Sequence, residues 1–186
     1  MDKSQLTLRE KVAQLIFPRI GDNLPPVRTV TEDADRVEAI LKQVPVGGLC
    51  VFNGRWPDTP RTLKELQEVA QIPLLIAADM ERGAGQQVKG LSVLPDAMAF
   101  GALGPAAELA SESFGRVTAE EALAAGVHIV LGPVADVNSD PRNPIIATRA
   151  FSTDTRAAAR LAAAYVRGCQ KTGAAAMAKH LSLIHI

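Results

Sequence analysis

The chain has 186 residues, 47% of them apolar, which suffices for a substantial core and excludes a disordered segment. Twenty basic residues balance twenty acidic ones and aromatics reach only 4%, so the composition offers neither a basic nucleic-acid surface nor a base-stacking platform. The amino-terminal MDKSQLTLREK has no apolar signal-peptide core, and no run approaches the roughly 20 residues of a membrane span. The expectation is a cytoplasmic protein with neither nucleic acid nor membrane as partner.

Thr7-Leu8-Arg9-Glu10 reads as a capping box, in which the threonine hydroxyl and the glutamate satisfy each other's free amides at a helix start. Val12, Leu15 and Ile16 give that helix one apolar face, and residues 17–20 form a short strand. Helical spacing at Val37, Ile40, Leu41 and Val44 predicts a helix over 31–44, ended by Pro45, Gly47 and Gly48 before a strand at 49–52. Thr59-Pro60 opens the next helix, with Leu63, Leu66 and Val69 inward. Residues 74–78 are apolar throughout, as in a parallel strand buried on both faces.

A longer helix is predicted over 105–125, closed by Gly126, and a strand over 127–131 follows. Another helix starts near Asp154 and runs through alanine-rich sequence to Gly173, before a strand at 174–178. Strand and helix alternate with no hairpin signal between them, which predicts repeated βα units. Cys50 in a strand and Cys169 in a helix lack any CxxC or Cys/His spacing and read as two free buried thiols.

Polar residues follow the strands: Asn53 the second, Asp79 the third, Asp136 to Arg149 the fourth, Lys179 and His180 the fifth. That placement suits the C-terminal face of a (β/α)8 barrel, but ligands also sit at strand ends in a doubly wound sheet. No GxGxxG or GxxxxGK[ST] follows any strand, which argues against a nucleotide site.

Asp79 directly follows five apolar residues, where an ionised acid needs a partner, so it reads as a sugar-hydroxyl or acid/base site rather than a solvated turn. For Glu81 and Arg82 both readings stay open. Arg149 either presents its guanidinium fork to a ligand or clamps Asp136 or Asp140 inside the loop. Lys179 and His180 are adjacent, and on a continuing strand they face opposite ways. Asp136, Asn138 and Asn143 read as scaffold of a proline-rich loop, and His128 and His185 as structural or incidental.

Together these residues resemble the N-terminal catalytic domain of glycoside hydrolase family 3, particularly its bacterial β-N-acetylglucosaminidase branch. The resemblance is carried by Lys11-Val12-Ala13-Gln14-Leu15, Val46-Gly47-Gly48-Leu49, Ala78-Asp79-Met80-Glu81-Arg82-Gly83, Gly132-Pro133-Val134-Ala135-Asp136-Val137-Asn138, Asn143-Pro144-Ile145-Ile146, Thr148-Arg149-Ala150-Phe151-Ser152 and Ala178-Lys179-His180. It implies an α/β fold of the TIM-barrel type, with the first five or so βα units in residues 1–180. It also implies retaining hydrolysis of terminal β-linked sugars, without a metal or organic cofactor. Asp79, Arg149, Lys179 and His180 then bind the terminal sugar's hydroxyls or acetamido group.

Two departures qualify this. The hexosaminidase branch places Gly-Gly and then a sugar-binding arginine after the aspartate, whereas this chain reads Gly83-Ala84-Gly85-Gln86-Gln87. After Lys-His the family continues with Phe-Pro-Gly-His-Gly, a loop carrying the His-Asp acid/base and, later, the nucleophilic aspartate. Here Leu181-Ser182-Leu183-Ile184-His185-Ile186 follows and reads as a non-native tail, so no catalytic residue is assigned in this chain. The expectation is an inactive fragment of a hydrolase acting on a β-linked amino-sugar or glucoside, with a role in cell-wall sugar recycling. The alternatives are a β-glucosidase of the same family, a non-catalytic sugar-binding relative, and an aldolase-like barrel using Lys179 as a Schiff-base amine.

Overall fold

The computed structural model describes residues 3–180. In chain order these form α1 (Leu8–Ala13), β1 (Arg19–Ile20), α2 (Ala34–Gln43), β2 (Gly48–Val51), β3 (Gly54–Arg55), α3 (Asp58–Val69) and β4 (Leu75–Ala78). β5 (Val88–Lys89), α4 (Ala97–Gly101), α5 (Ala107–Ala124), β6 (Ile129–Val130), α6 (Thr155–Gln170) and β7 (Ala175–Ala176) complete the course. The chain divides into two compact units. One holds the residues up to Ala78 with Gln87–Gly90 and Ala124–His128, the other Asp79–Gln86, Leu91–Leu123 and the residues from Ile129 onward.

In the first unit β1, β2 and β4 lie side by side and parallel, with Cys50 opposite both Arg19 and Ala77. Val51 registers with Ala78, so β2 and β4 end at one level and release Asn53 and Asp79 just beyond it. Leu49 and Val51 of β2 and Ile76 and Ala78 of β4 are buried, as are Val37 and Leu41 of α2 and Leu63 and Leu66 of α3, at the helical spacings that put each pair on one face. The capping box is present: the Thr7 hydroxyl accepts from Glu10 N–H at 3.3 Å, and the Glu10 carboxylate accepts from Thr7 N–H at 2.7 Å. His128 holds a structural position, its Nδ1 accepting from Ile76 N–H at 3.1 Å.

In the second unit β6 and β7 pair in parallel, and α5 lies against α6. The helices meet at glycines: a Cβ on Gly168 would lie 1.9 Å from Glu112 O, and one on Gly115 2.1 Å from Tyr165 O. Around them Phe114 meets Tyr165 edge-on at 4.9 Å and stacks on Phe100 at 4.3 Å, giving this unit most of the chain's few aromatics.

Several expectations are corrected. Val12, Leu15 and Ile16 do not form one helical face: α1 ends at Ala13 with Gln14 as its cap, so Leu15 and Ile16 lie beyond it, and Leu15 is 83% exposed, with Leu8 exposed as well. Residues 74–78 are not buried throughout, since Leu75 is 51% exposed. Cys50 is half-buried rather than buried, while Cys169 is buried as expected, and burial pushes its thiol up to about 11. The helix predicted to open at Thr59-Pro60 starts at Asp58, and the one over 31–44 spans Ala34–Gln43. β3, β5 and α4 were not anticipated. Residues 181–186, the predicted tail with His185, lie outside the described residues.

Candidate functional site

The site lies wholly in the second unit and starts from the backbone. Lys179 N–H donates to Pro133 O at 3.0 Å and Ala135 N–H donates to Lys179 O at 2.6 Å, setting residues 133–136 beside 179–180. The Gly132–Pro133 and Lys179–His180 peptides are both cis. Asp136, 5% exposed, then accepts at one oxygen from His180 N–H at 2.9 Å and faces His180 Nδ1 at 2.8 Å.

Lys179 turns its ammonium to two carboxylates, Asp79 Oδ1 and, at 2.7 Å, Glu81 Oε1. Glu81 is also gripped by Arg149, whose Nε and Nη2 reach its two oxygens at 2.7 and 2.9 Å in a bidentate fork. Arg149 is aimed by its loop. Asn143 Oδ1 accepts from Ile145 and Ile146 N–H, a turn of Ala147–Arg149 follows, and Arg149 Nη1 returns to Ile145 O at 2.8 Å. Ala147 adopts φ +40°, a left-handed conformation that alanine rarely takes, immediately before this turn delivers Arg149.

Burial alone would push the Glu81 carboxyl up, but the hydrogen bonds from Arg149 and Lys179 outweigh it and hold the group at about 2. Glu81 in turn raises the Arg149 guanidinium above its ordinary value. Glu81 is therefore a fixed anion at neutral pH and has no proton to deliver. Its work is to seat two cations.

All four sequence-predicted residues are brought together: Asp79, Arg149, Lys179 and His180 belong to one continuous network. The clamp alternative for Arg149 is corrected in its partner, which is Glu81 and neither Asp136 nor Asp140; Asp140 pairs locally with Arg142. Glu81, open between site and solvated turn in the sequence, and Asp136, expected as loop scaffold, are both in the network. Glu81 had a signal, since two residues beyond Asp79 on an extended segment a side chain returns to the same face. The partnership of Asp136 with His180 crosses 44 residues and left no local trace. Asn53, the other strand-end polar residue, is structural: its amide donates to Asp22 O and Arg28 O within the first unit.

Lys179 does not sit like a Schiff-base amine. Nucleophilic lysines are activated by desolvation or a neighbouring cation, and this one is seated between two anions. Among the described residues, no three His, Cys, Asp or Glu side chains are grouped to hold a metal ion, and no helix is long and apolar enough to cross a membrane.

Parallel strands separated by helices, with charged side chains gathered where strands end, define an α/β protein, and the family match that follows makes it one of the TIM-barrel type. Residues 7–182 match the glycosyl hydrolase family 3 N terminal domain, and the chain belongs to that family. It is 34% identical over 152 residues to a beta-N-acetylglucosaminidase/beta-glucosidase of Cellulomonas fimi, covering 82% of this chain and 27% of that protein. It is 36% identical over 143 residues to a beta-hexosaminidase of Pseudomonas aeruginosa, covering 76% of this chain and 43% of that one. Among solved structures, a family 3 beta-N-acetylglucosaminidase from a Paenibacillus species superposes with a TM-score of 0.83 at 30% identity over 95% of this chain and 33% of its own. The chain thus spans between about a quarter and somewhat under half the length of these two curated relatives.

Proposed function

We propose that these residues form the sugar-binding part of a retaining glycoside hydrolase acting on terminal non-reducing β-linked N-acetylglucosamine, and that the 186-residue chain does not itself hydrolyse it. The observation that carries this reading is the Lys179–Asp79–Glu81–Arg149 network. Two cations and two carboxylates, held rigid at strand ends, offer the charge-assisted hydrogen bonds suited to sugar hydroxyls, of about 1.5 to 3 kcal/mol each. A retaining glycosidase further needs one group to protonate the leaving oxygen and another to attack the anomeric carbon. Glu81 cannot be that acid, being held ionised with both oxygens engaged.

The test compares two chromogenic substrates, a β-N-acetylglucosaminide and a β-glucoside, on the 186-residue chain and on a longer product of the same gene. The longer product is expected to prefer the β-N-acetylglucosaminide and the 186-residue chain to turn over neither. Hydrolysis by the 186-residue chain would overturn the inactivity claim. A preference for the β-glucoside would favour the second reading, a β-glucosidase, which the double name of the Cellulomonas fimi relative supports. Sugar binding by the longer product without any hydrolysis would favour a non-catalytic relative.

A further inference from the structure

The two ring nitrogens of His180 face opposite chemistries. Nδ1 lies 2.8 Å from Asp136 Oδ2, a carboxylate oxygen that only accepts, and Nε2 lies 3.5 Å from Arg149 Nη2, a guanidinium nitrogen that only donates. The first contact requires a proton on Nδ1. The second is satisfied only by a lone pair on Nε2. Both constraints select one neutral tautomer, and a proton added at Nε2 would point at a cation.

We infer that Asp136 is a positioning residue that holds His180 as the Nδ1–H tautomer, so that Nε2 is a hydrogen-bond acceptor within a site otherwise rich in cationic donors. The same Asp136 oxygen takes the His180 backbone N–H, so ring and main chain are fixed together. A buried carboxylate that orients a histidine and sets its tautomer is an established means of giving one ring nitrogen a defined role. A ligand here must donate a hydrogen to Nε2 while accepting from Lys179 and Arg149. A hydroxyl does both, whereas a phosphate dianion or a carboxylate has no hydrogen to give. That the hydroxyl belongs to a sugar rests on the proposed function; the tautomer does not.

The test is long-range proton–nitrogen NMR on the 15N-labelled 186-residue chain at neutral pH. His128 supplies an internal contrast, because its Nδ1 accepts from Ile76 N–H and its ring must carry the proton on Nε2. Opposite patterns are expected for His180 and His128. Asp136→Ala should abolish the Nδ1–H pattern of His180 and leave that of His128, which lies in the first unit, while backbone amide dispersion of the second unit reports that the variant is folded. Asp136→Asn, whose amide oxygen still accepts, should retain it, an outcome that a purely structural role for Asp136 does not predict. If Asp136→Ala fails to fold, the wild-type spectrum with Asp136→Asn decides. An Nε2–H pattern in the wild type, or an Nδ1–H pattern surviving Asp136→Ala, would overturn the inference. Absence of glycosidase activity would leave these results standing and count against the proposed function alone.

Discussion

Glu81 seats the Lys179 ammonium and the Arg149 fork on one carboxylate, and the stability of the second unit should register this as acid sensitivity. Its folded value of about 2 lies below the ordinary value of 4.5, so the ionised form is the one the fold favours. That contribution, on the order of 3 kcal/mol, is complete above the ordinary value and is lost as pH falls from about 4.5 toward 2. Urea unfolding followed across this window should show the loss, and Glu81→Gln should flatten it. Arg149→Lys keeps the charge but loses the planar fork, and should cost about 1 to 2 kcal/mol in the same measurement at neutral pH. At Ala147 the direction reverses. Its φ of +40° is one that glycine adopts freely, so Ala147→Gly should not destabilise the chain and is expected to raise its unfolding midpoint by relieving about 1 kcal/mol of strain.

Between elements, α5 and α6 meet at a contact that leaves no room for a side chain. Backbone oxygens stand where side chains at Gly115 and Gly168 would project, and neither glycine has a positive φ, so the constraint is closeness rather than conformation. Gly168→Ala should raise helix propensity by up to about 1 kcal/mol and still destabilise by about 1 to 3 kcal/mol or more, because Glu112 O cannot move without its helix. A thermal melt of the variant that matched wild type would refute the close crossing. The sequence showed α5 and α6 clearly, since long alanine-rich runs bounded by Asp154, Gly126 and Gly173 are strong local signals. It could not show how closely they cross. β3 and β5 were illegible for a different reason: unlike the equally short β1, β6 and β7, Gly54-Arg55 and Val88-Lys89 lie outside any apolar run, and the five residues of α4 are too few for a helical repeat. The polar site was half legible. Asp79 stood out at a strand end and Arg149, Lys179 and His180 gained their role from the family resemblance, whereas Asp136 resembled loop scaffold because its partner is supplied by distant sequence.

Among the described residues, Val12, Leu15 and Ile16 depart far from the apolar face expected of them and, with Leu8, are exposed near the amino terminus. An exposed cluster of this kind promotes association more than it supports folding. Leu15→Glu should therefore change the unfolding free energy by less than about 0.5 kcal/mol while lowering concentration-dependent light scattering. A large loss of stability would show that the side chain is packed after all.

The ion pair between Lys179 and Asp79 also has a history in time, because its partners stand 100 positions apart in the chain. At synthesis rates of about 5 to 20 residues per second, the carboxylates at 79 and 81 leave the ribosome roughly 5 to 20 seconds before the ammonium that will sit between them. Until residue 149 emerges Asp79 and Glu81 are neighbouring like charges that repel, and until residue 179 emerges Arg149 is the one cation of the network that Glu81 can take. Nascent chains arrested between residues 170 and 179 should therefore hold α5 and α6, and can pair Arg149 with Glu81, but lack the Lys179 contacts.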